Sequence, residues 1–127
     1  MPSATTEGIR ISVRPAYWQE RSSPNTGLFA FTYTIRIENV GEAPARLLRR
    51  RWIISDGNGK EEVVEGAGVV GQQPHLEPGE TFEYTSWVPL PTPIGTMKGS
   101  FLMTREDGTT FSAEVPEFVL TQPGALH

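Results

Sequence analysis

The chain has 127 residues and a mass of 14.0 kDa, enough for one domain that buries roughly two thirds of its unfolded surface. Its composition, 37% hydrophobic and 20% charged, is that of a globular protein and excludes a disordered one. Eleven basic against 15 acidic side chains give a net charge of −4, which speaks against nucleic acid as a partner, and the lack of cysteine excludes disulfides, thiolate nucleophiles and thiolate metal sites.

Met1 to Gly8 contains neither a basic region nor an apolar stretch, so it does not read as a secretory signal. No apolar run approaches the length of a membrane span. The expectation is a single cytoplasmic domain over residues 1–127, with an ordered core from about residue 8 to about residue 120.

Gly8 to Arg14 alternates apolar and polar residues at period two, the pattern of a strand with one buried face, and it extends toward Tyr17. Gln19 to Gly27 is a polar loop with Ser23-Pro24-Asn25 as its turn signal. Phe29, Phe31, Tyr33, Ile35 and Ile37 then share one face of the clearest strand in the chain. A turn containing Gly41 leads to a less regular strand over residues 45–55. There Leu48, Arg50, Trp52 and Ile54 share one parity. Either a bulge shifts register inside Arg49-Arg50-Arg51, or Arg50 points inward and must find a carboxylate or several carbonyls. Asn58-Gly59 predicts a tight primed hairpin turn into a strand over residues 60–65.

Gly66-Ala67-Gly68-Val69-Val70-Gly71 matches the glycine spacing of a dinucleotide loop. That chemistry needs a helix opening at the last glycine, and Pro74 and Pro78 forbid one. No Gly-Lys-Ser or Gly-Lys-Thr follows, so a P-loop is excluded as well. Two readings remain: a bend between sheets, or an anion nest in which Gly66, Gly68 and Gly71 supply amides and Arg50 supplies charge to a phosphorylated small molecule.

Beyond this run, Phe82, Tyr84 and Ser86 alternate with Glu83, Thr85 and Trp87 along a strand. Met97, Gly99, Phe101 and Met103 mark the next strand, and Asp107-Gly108 is a second hairpin signal. Phe111, Ala113 and Val115 define the last, which Pro116 is expected to close or displace to an edge, and the tail from Thr121 to His127 is expected to fray. About seven short strands without a helical period predict an antiparallel β-sandwich of the fibronectin type III variety, with a barrel as the alternative.

The only histidines are His75 and His127, and no spacing matches a metal site, so neither a metal, a cofactor nor a catalytic residue is assigned. Trp18 and Trp87 are the candidate exposed anchors for a protein partner, although burial is the ordinary fate of so large a side chain. The expected assembly is a monomer or a weak homodimer.

Several of these residues together resemble the bacterial ApaG family. They are Ser23-Pro24, Leu47-Leu48 with Arg50 and Trp52, Asp56-Gly57-Asn58-Gly59, Gly66, Gly68-Val69-Val70-Gly71 with Gln73-Pro74, Pro78-Gly79-Glu80, Tyr84-Thr85-Ser86, Thr92-Pro93, Gly95-Thr96-Met97, Gly99, Phe111, Pro116 and Phe118. The resemblance covers nearly the whole chain and implies a fibronectin type III-like sandwich. It also implies a loosely defined role: the family is named for neighbouring a dinucleoside-tetraphosphate hydrolase gene and is tied to cobalt and magnesium tolerance. It shares its domain with an F-box protein and a DNA polymerase-interacting protein, which favours a non-enzymatic module for protein–protein interaction. The family often has an acidic residue where Ala67 stands and a small one where Trp87 stands.

Overall fold

A computed structural model of the protein describes residues 1–124. The strands are β1 (Ser3–Thr6), β2 (Ile9–Tyr17), β3 (Phe29–Asn39), β4 (Ala45–Asp56), β5 (Glu61–Ala67), β6 (His75–Leu76), β7 (Thr81–Leu90), β8 (Ile94–Thr104) and β9 (Thr110–Thr121). They form two antiparallel sheets, one ordered β1-β2-β3-β7 and the other β5-β4-β8-β9, with β6 paired to the start of β4. The sheets stack face to face without closing into a barrel, as the alternating sequence pattern predicts. Among the described residues nine strands replace the expected seven, because β1 and β6 are too short and too polar to carry an apolar alternation of their own.

The interior is filled from both sheets by residues of one parity per strand. Phe31, Tyr33, Ile35 and Ile37 of β3 are buried, as are Met97, Phe101 and Met103 of β8 and Phe111, Ala113 and Val115 of β9. Trp52, 3% exposed, sits at the centre. Its ring meets Tyr33 across the sandwich at 5.4 Å, and Phe101 and Phe118 of its own sheet at 5.9 and 6.1 Å, all edge-on. Removing such an aromatic from a core costs about 3–5 kcal/mol. An exposed ion pair such as Arg10–Glu38, at 3.0 Å on the outer face, is screened by solvent and adds little by comparison. The aromatic node, not surface charge, holds the two layers together.

Four local expectations are corrected. The irregularity in β4 is a bulge at Leu48, just before the arginine run rather than inside it: Leu47 pairs with Met103 and Arg49 with Leu102. The extra residue switches the buried parity, so odd-numbered Leu47 and even-numbered Trp52 both face the core. Pro116 does not end β9, which runs on to Thr121. It sits with Glu117 in a second bulge opposite Lys98, where its missing N–H interrupts no ladder bond. The turn at Asn58-Gly59 is not primed. Only Gly59 takes a positive φ, and the Asp56 and Lys60 backbones close a three-residue loop. Finally, ordered structure begins at Ser3 and passes residue 120. Gln122 N–H donates to Pro93 O at 2.8 Å, while residues 125–127 of the tail expected to fray lie outside the described ones.

Tyr84, 8% exposed, points into the interior from β7, and among the described residues its hydroxyl has no hydrogen-bond partner. Burial pushes its pKa strongly upward, the nearby Tyr33 hydroxyl adds to this, and Arg50 opposes it. Tyr33 is also raised by burial, against a hydrogen bond to Ser86 and the charge of Arg50. A raised tyrosine pKa means stability that is complete below the unfolded value of about 10 and is lost as pH rises above it. Tyr84→Phe is therefore expected to stabilise the protein by about 1 kcal/mol at pH 7 and to move its alkaline unfolding midpoint to higher pH, both read by circular dichroism. An unchanged alkaline midpoint would contradict this account of Tyr84.

Candidate functional site

The glycine run leaves β5 at Ala67 and folds back on itself. Gly68 N–H donates to Leu48 O at 2.8 Å. Val69 and Gln72 then exchange backbone hydrogen bonds of 2.8 and 2.9 Å around Val70-Gly71. With φ of 44° at Val70 and 78° at Gly71, this is a primed hairpin turn, as is Glu7-Gly8 between β1 and β2, with φ of 46° and 84°. Gly71 suits it. Val70 does not, because a β-branched side chain at positive φ carries about 1–3 kcal/mol of strain. The turn holds because Val69, next to it, is sealed in the core, which leaves Val70 52% exposed at the tip.

Arg50 lies beneath this turn. It pairs across the ladder with Gly66, and a Cβ at that position would stand 2.8–2.9 Å from three atoms of the guanidinium. One Arg50 nitrogen donates to Ala67 O at 3.0 Å and to Gly68 O at 2.9 Å. Arg50 thus points inward and finds carbonyls, one of the two outcomes its parity allows. The fold brings Arg50, Gly66 and Gly68 together and leaves Gly71 apart at the tip. The amides of Gly68, Val69 and Gln72 are engaged inside the turn, and the charge of Arg50 is directed at carbonyl oxygens. Nearby, a depression of about 230 Å³ is lined by Arg49, Arg50, Arg51, Glu65, Ser100, Leu102 and Ser112, with Arg51 tied to Glu65 at 3.0 Å.

Trp18 and Trp87 come together elsewhere, on the outer face of the first sheet. Trp87 projects from β7 opposite Thr32 and is 52% exposed. Trp18 follows the end of β2, its N–H donating to Ala30 O at 2.8 Å. Ser22 Oγ pins the loop by donating to Trp18 O and accepting from Ala30 N–H. The two indoles meet edge-on at 5.8 Å, and the Arg21 guanidinium lies 5.4 Å from the Trp18 ring centre. Pro89, exposed beside them, extends the patch. His75 is exposed and lies 4.0 Å from Glu77. Among the described residues no three His, Cys, Asp or Glu side chains gather as metal ligands, and no helix is long and apolar enough to cross a membrane.

Two open antiparallel sheets in this strand order define an immunoglobulin-like sandwich of the fibronectin type III kind. The chain belongs to the ApaG domain family, whose model matches residues 19–105. It is 55% identical to Protein ApaG of Anaeromyxobacter dehalogenans strain 2CP-1 over 127 residues, all of both chains. It is 54% identical to Protein ApaG of Dechloromonas aromatica over 119 residues, 94% of each. The crystal structure of the putative ApaA protein from Bordetella pertussis aligns with a TM-score of 0.89 at 48% identity, covering 97% of each chain.

Sequence reasoning did not single out Val70, whose strain becomes visible only once the turn type is known. Nor did it pair Trp18 with Trp87, which the register of β3 and β7 makes neighbours. If Gly66 serves to admit Arg50, then Gly66→Ala displaces the guanidinium from its two carbonyls and costs about 1–3 kcal/mol in urea unfolding. Combined with Arg50→Ala, the two losses are expected to fall well short of their sum. Additive losses would show that Gly66 and Arg50 act separately.

Proposed function

We propose that this ApaG-domain protein is a non-enzymatic binding module that recognises another protein through the face centred on Trp87 and Trp18. The supporting observation is the half-exposed Trp87, held edge-on against Trp18 with Arg21 over the second ring. Leaving that much indole in water forgoes about 2–3 kcal/mol of burial, a cost that a partner covering the patch recovers. Tryptophan and arginine are the residues that most often dominate binding energy at protein interfaces, and a rigid sheet presents them without ordering a loop on binding. Glu38 and Glu65, in contrast, are matched to arginines on the surface, at 3.0 Å each.

Trp87→Ser tests the reading. Because the side chain is half exposed, the variant is expected to keep its melting temperature to within a stability change of about 1 kcal/mol. Capture of a protein from an extract of the source cells by the immobilised domain is expected to weaken by roughly 30-fold or more, about 2 kcal/mol. Capture that is equal for both forms would contradict the assignment of this face.

A further inference from the structure

Four strands form the edges of the two sheets, and three are guarded. β1 is only four residues long. β5 carries Glu61, Glu62 and Glu65 along its seven residues. β9 contains the Pro116 bulge and lies against β1, with Glu114 N–H donating to Thr6 Oγ1. Short length, charge and proline are the devices that keep an edge from pairing with another chain. β7 has none of them over most of its length. It is ten residues long, its one neighbour in the sheet is β3, and from Thr81 to Val88 it holds no proline or lysine and a single charge, Glu83.

The direction of its unpaired backbone groups follows from the start of the strand. Asn39 N–H donates to Glu80 O at 3.0 Å, and Gly79 N–H donates to Asn39 O at 2.8 Å. Stepping by twos along the antiparallel ladder, Phe82, Tyr84, Ser86 and Val88 bond to β3, while the N–H and C=O of Thr81, Glu83, Thr85 and Trp87 point out of the sheet. Two observations agree with this phase. Pro89, which has no N–H, falls at an outward position, and Ala30, its partner on β3, uses its carbonyl on the opposite side to accept from Trp18.

We propose that β7 pairs antiparallel with β7 of a second copy of this chain, about a two-fold axis at Thr85, joining two four-stranded sheets into one of eight strands. Among two-fold pairs centred on an outward-bonding residue, which then exchanges both backbone hydrogen bonds with its own counterpart, the candidates are Glu83, Thr85 and Trp87. Centring on Glu83 sets two carboxylates face to face, and centring on Trp87 shortens the ladder against Pro89. Thr85 avoids both. It faces its own counterpart, a favourable cross-strand pair, and Glu83 faces the indole edge of Trp87 in the second copy. The single charge on the edge therefore never meets its like, and the edge is complementary to itself rather than to a strand of particular charge. The pairing also sets both Trp18–Trp87 patches on one continuous face, but it stands on the backbone geometry and not on the function proposed for that patch. One strand pair is a small interface, below about 1,200 Å², and each copy carries a charge of −4, so the association is weak and reversible.

Sedimentation velocity from about 10 μM to about 1 mM tests the association. Wild type is expected to move from monomer toward dimer. Thr85→Pro removes an N–H that points out of the molecule, so it is expected to remain monomeric with its melting transition retained. Because the native chain lacks cysteine, T85C reports the register alone. Hydrogen-bonded partners have Cα atoms about 5.5 Å apart, within reach of a disulfide, so mild oxidation is expected to cross-link T85C but not T81C, which faces Pro89 of the second copy. A wild type monomeric throughout, a dimer that survives Thr85→Pro, or equal cross-linking of T81C and T85C would each overturn the proposal.

Discussion

The contact between Tyr33 and Trp52 is where the two sheets become one molecule. Tyr33 belongs to the first sheet and Trp52 to the second, and Trp52 also gathers Phe101 and Phe118 from its own layer. For Trp52 to reach this point after Leu47 has already faced the core, β4 must change phase, and the bulge at Leu48 supplies the change. The same shift turns Arg50 inward beneath the glycine run, where Gly66 leaves it room and the Ala67 and Gly68 carbonyls receive it. Bulge, inward arginine and glycine run thus form one linked arrangement, set by the need to seat a tryptophan between two layers.

The glycine spacing that resembles a phosphate-binding loop therefore has a structural account in this sandwich. One glycine admits a guanidinium, and another allows a tight reversal after Val69 has anchored the chain in the core. The strain at Val70 is a by-product of that anchoring: Val69 is fixed inside, the chain must turn at once, and the residue at the first turn position takes a positive φ although it is β-branched. What the sandwich presents outward is different in kind, an aromatic pair on one face and an open strand on one edge, both on β7.

Much of the fold was legible because alternation in a strand buried on one side reports its own face. Phe31, Tyr33, Ile35 and Ile37 stand inside, as their spacing requires. The anomaly in β4 was legible too, but its position was not, since Leu48 and the arginine run offer equivalent places for an extra residue. β1 was invisible because Ser3-Ala4-Thr5-Thr6 pairs through its backbone with β2 and has little apolar surface to pattern. Turn chemistry misled at Asn58-Gly59, where local propensity favours a primed turn, whereas primed turns form at Glu7-Gly8 and, under tertiary constraint, at Val70-Gly71. Of the candidate residues, Arg50 could be flagged by parity alone. The meeting of Trp18 and Trp87 depends on strand register, which no local pattern encodes.

The claim that most distinguishes this account is that β7 alternates between backbone groups committed to β3 and groups free to recruit another strand. Amide hydrogen exchange followed by NMR at low and high protein concentration measures this directly. Phe82, Tyr84, Ser86 and Val88 are predicted to be protected at both concentrations, while Glu83, Thr85 and Trp87 exchange quickly in dilute solution and slow as concentration rises. Exchange at Glu83, Thr85 and Trp87 that does not change with concentration, or protection lacking this alternation, would contradict it.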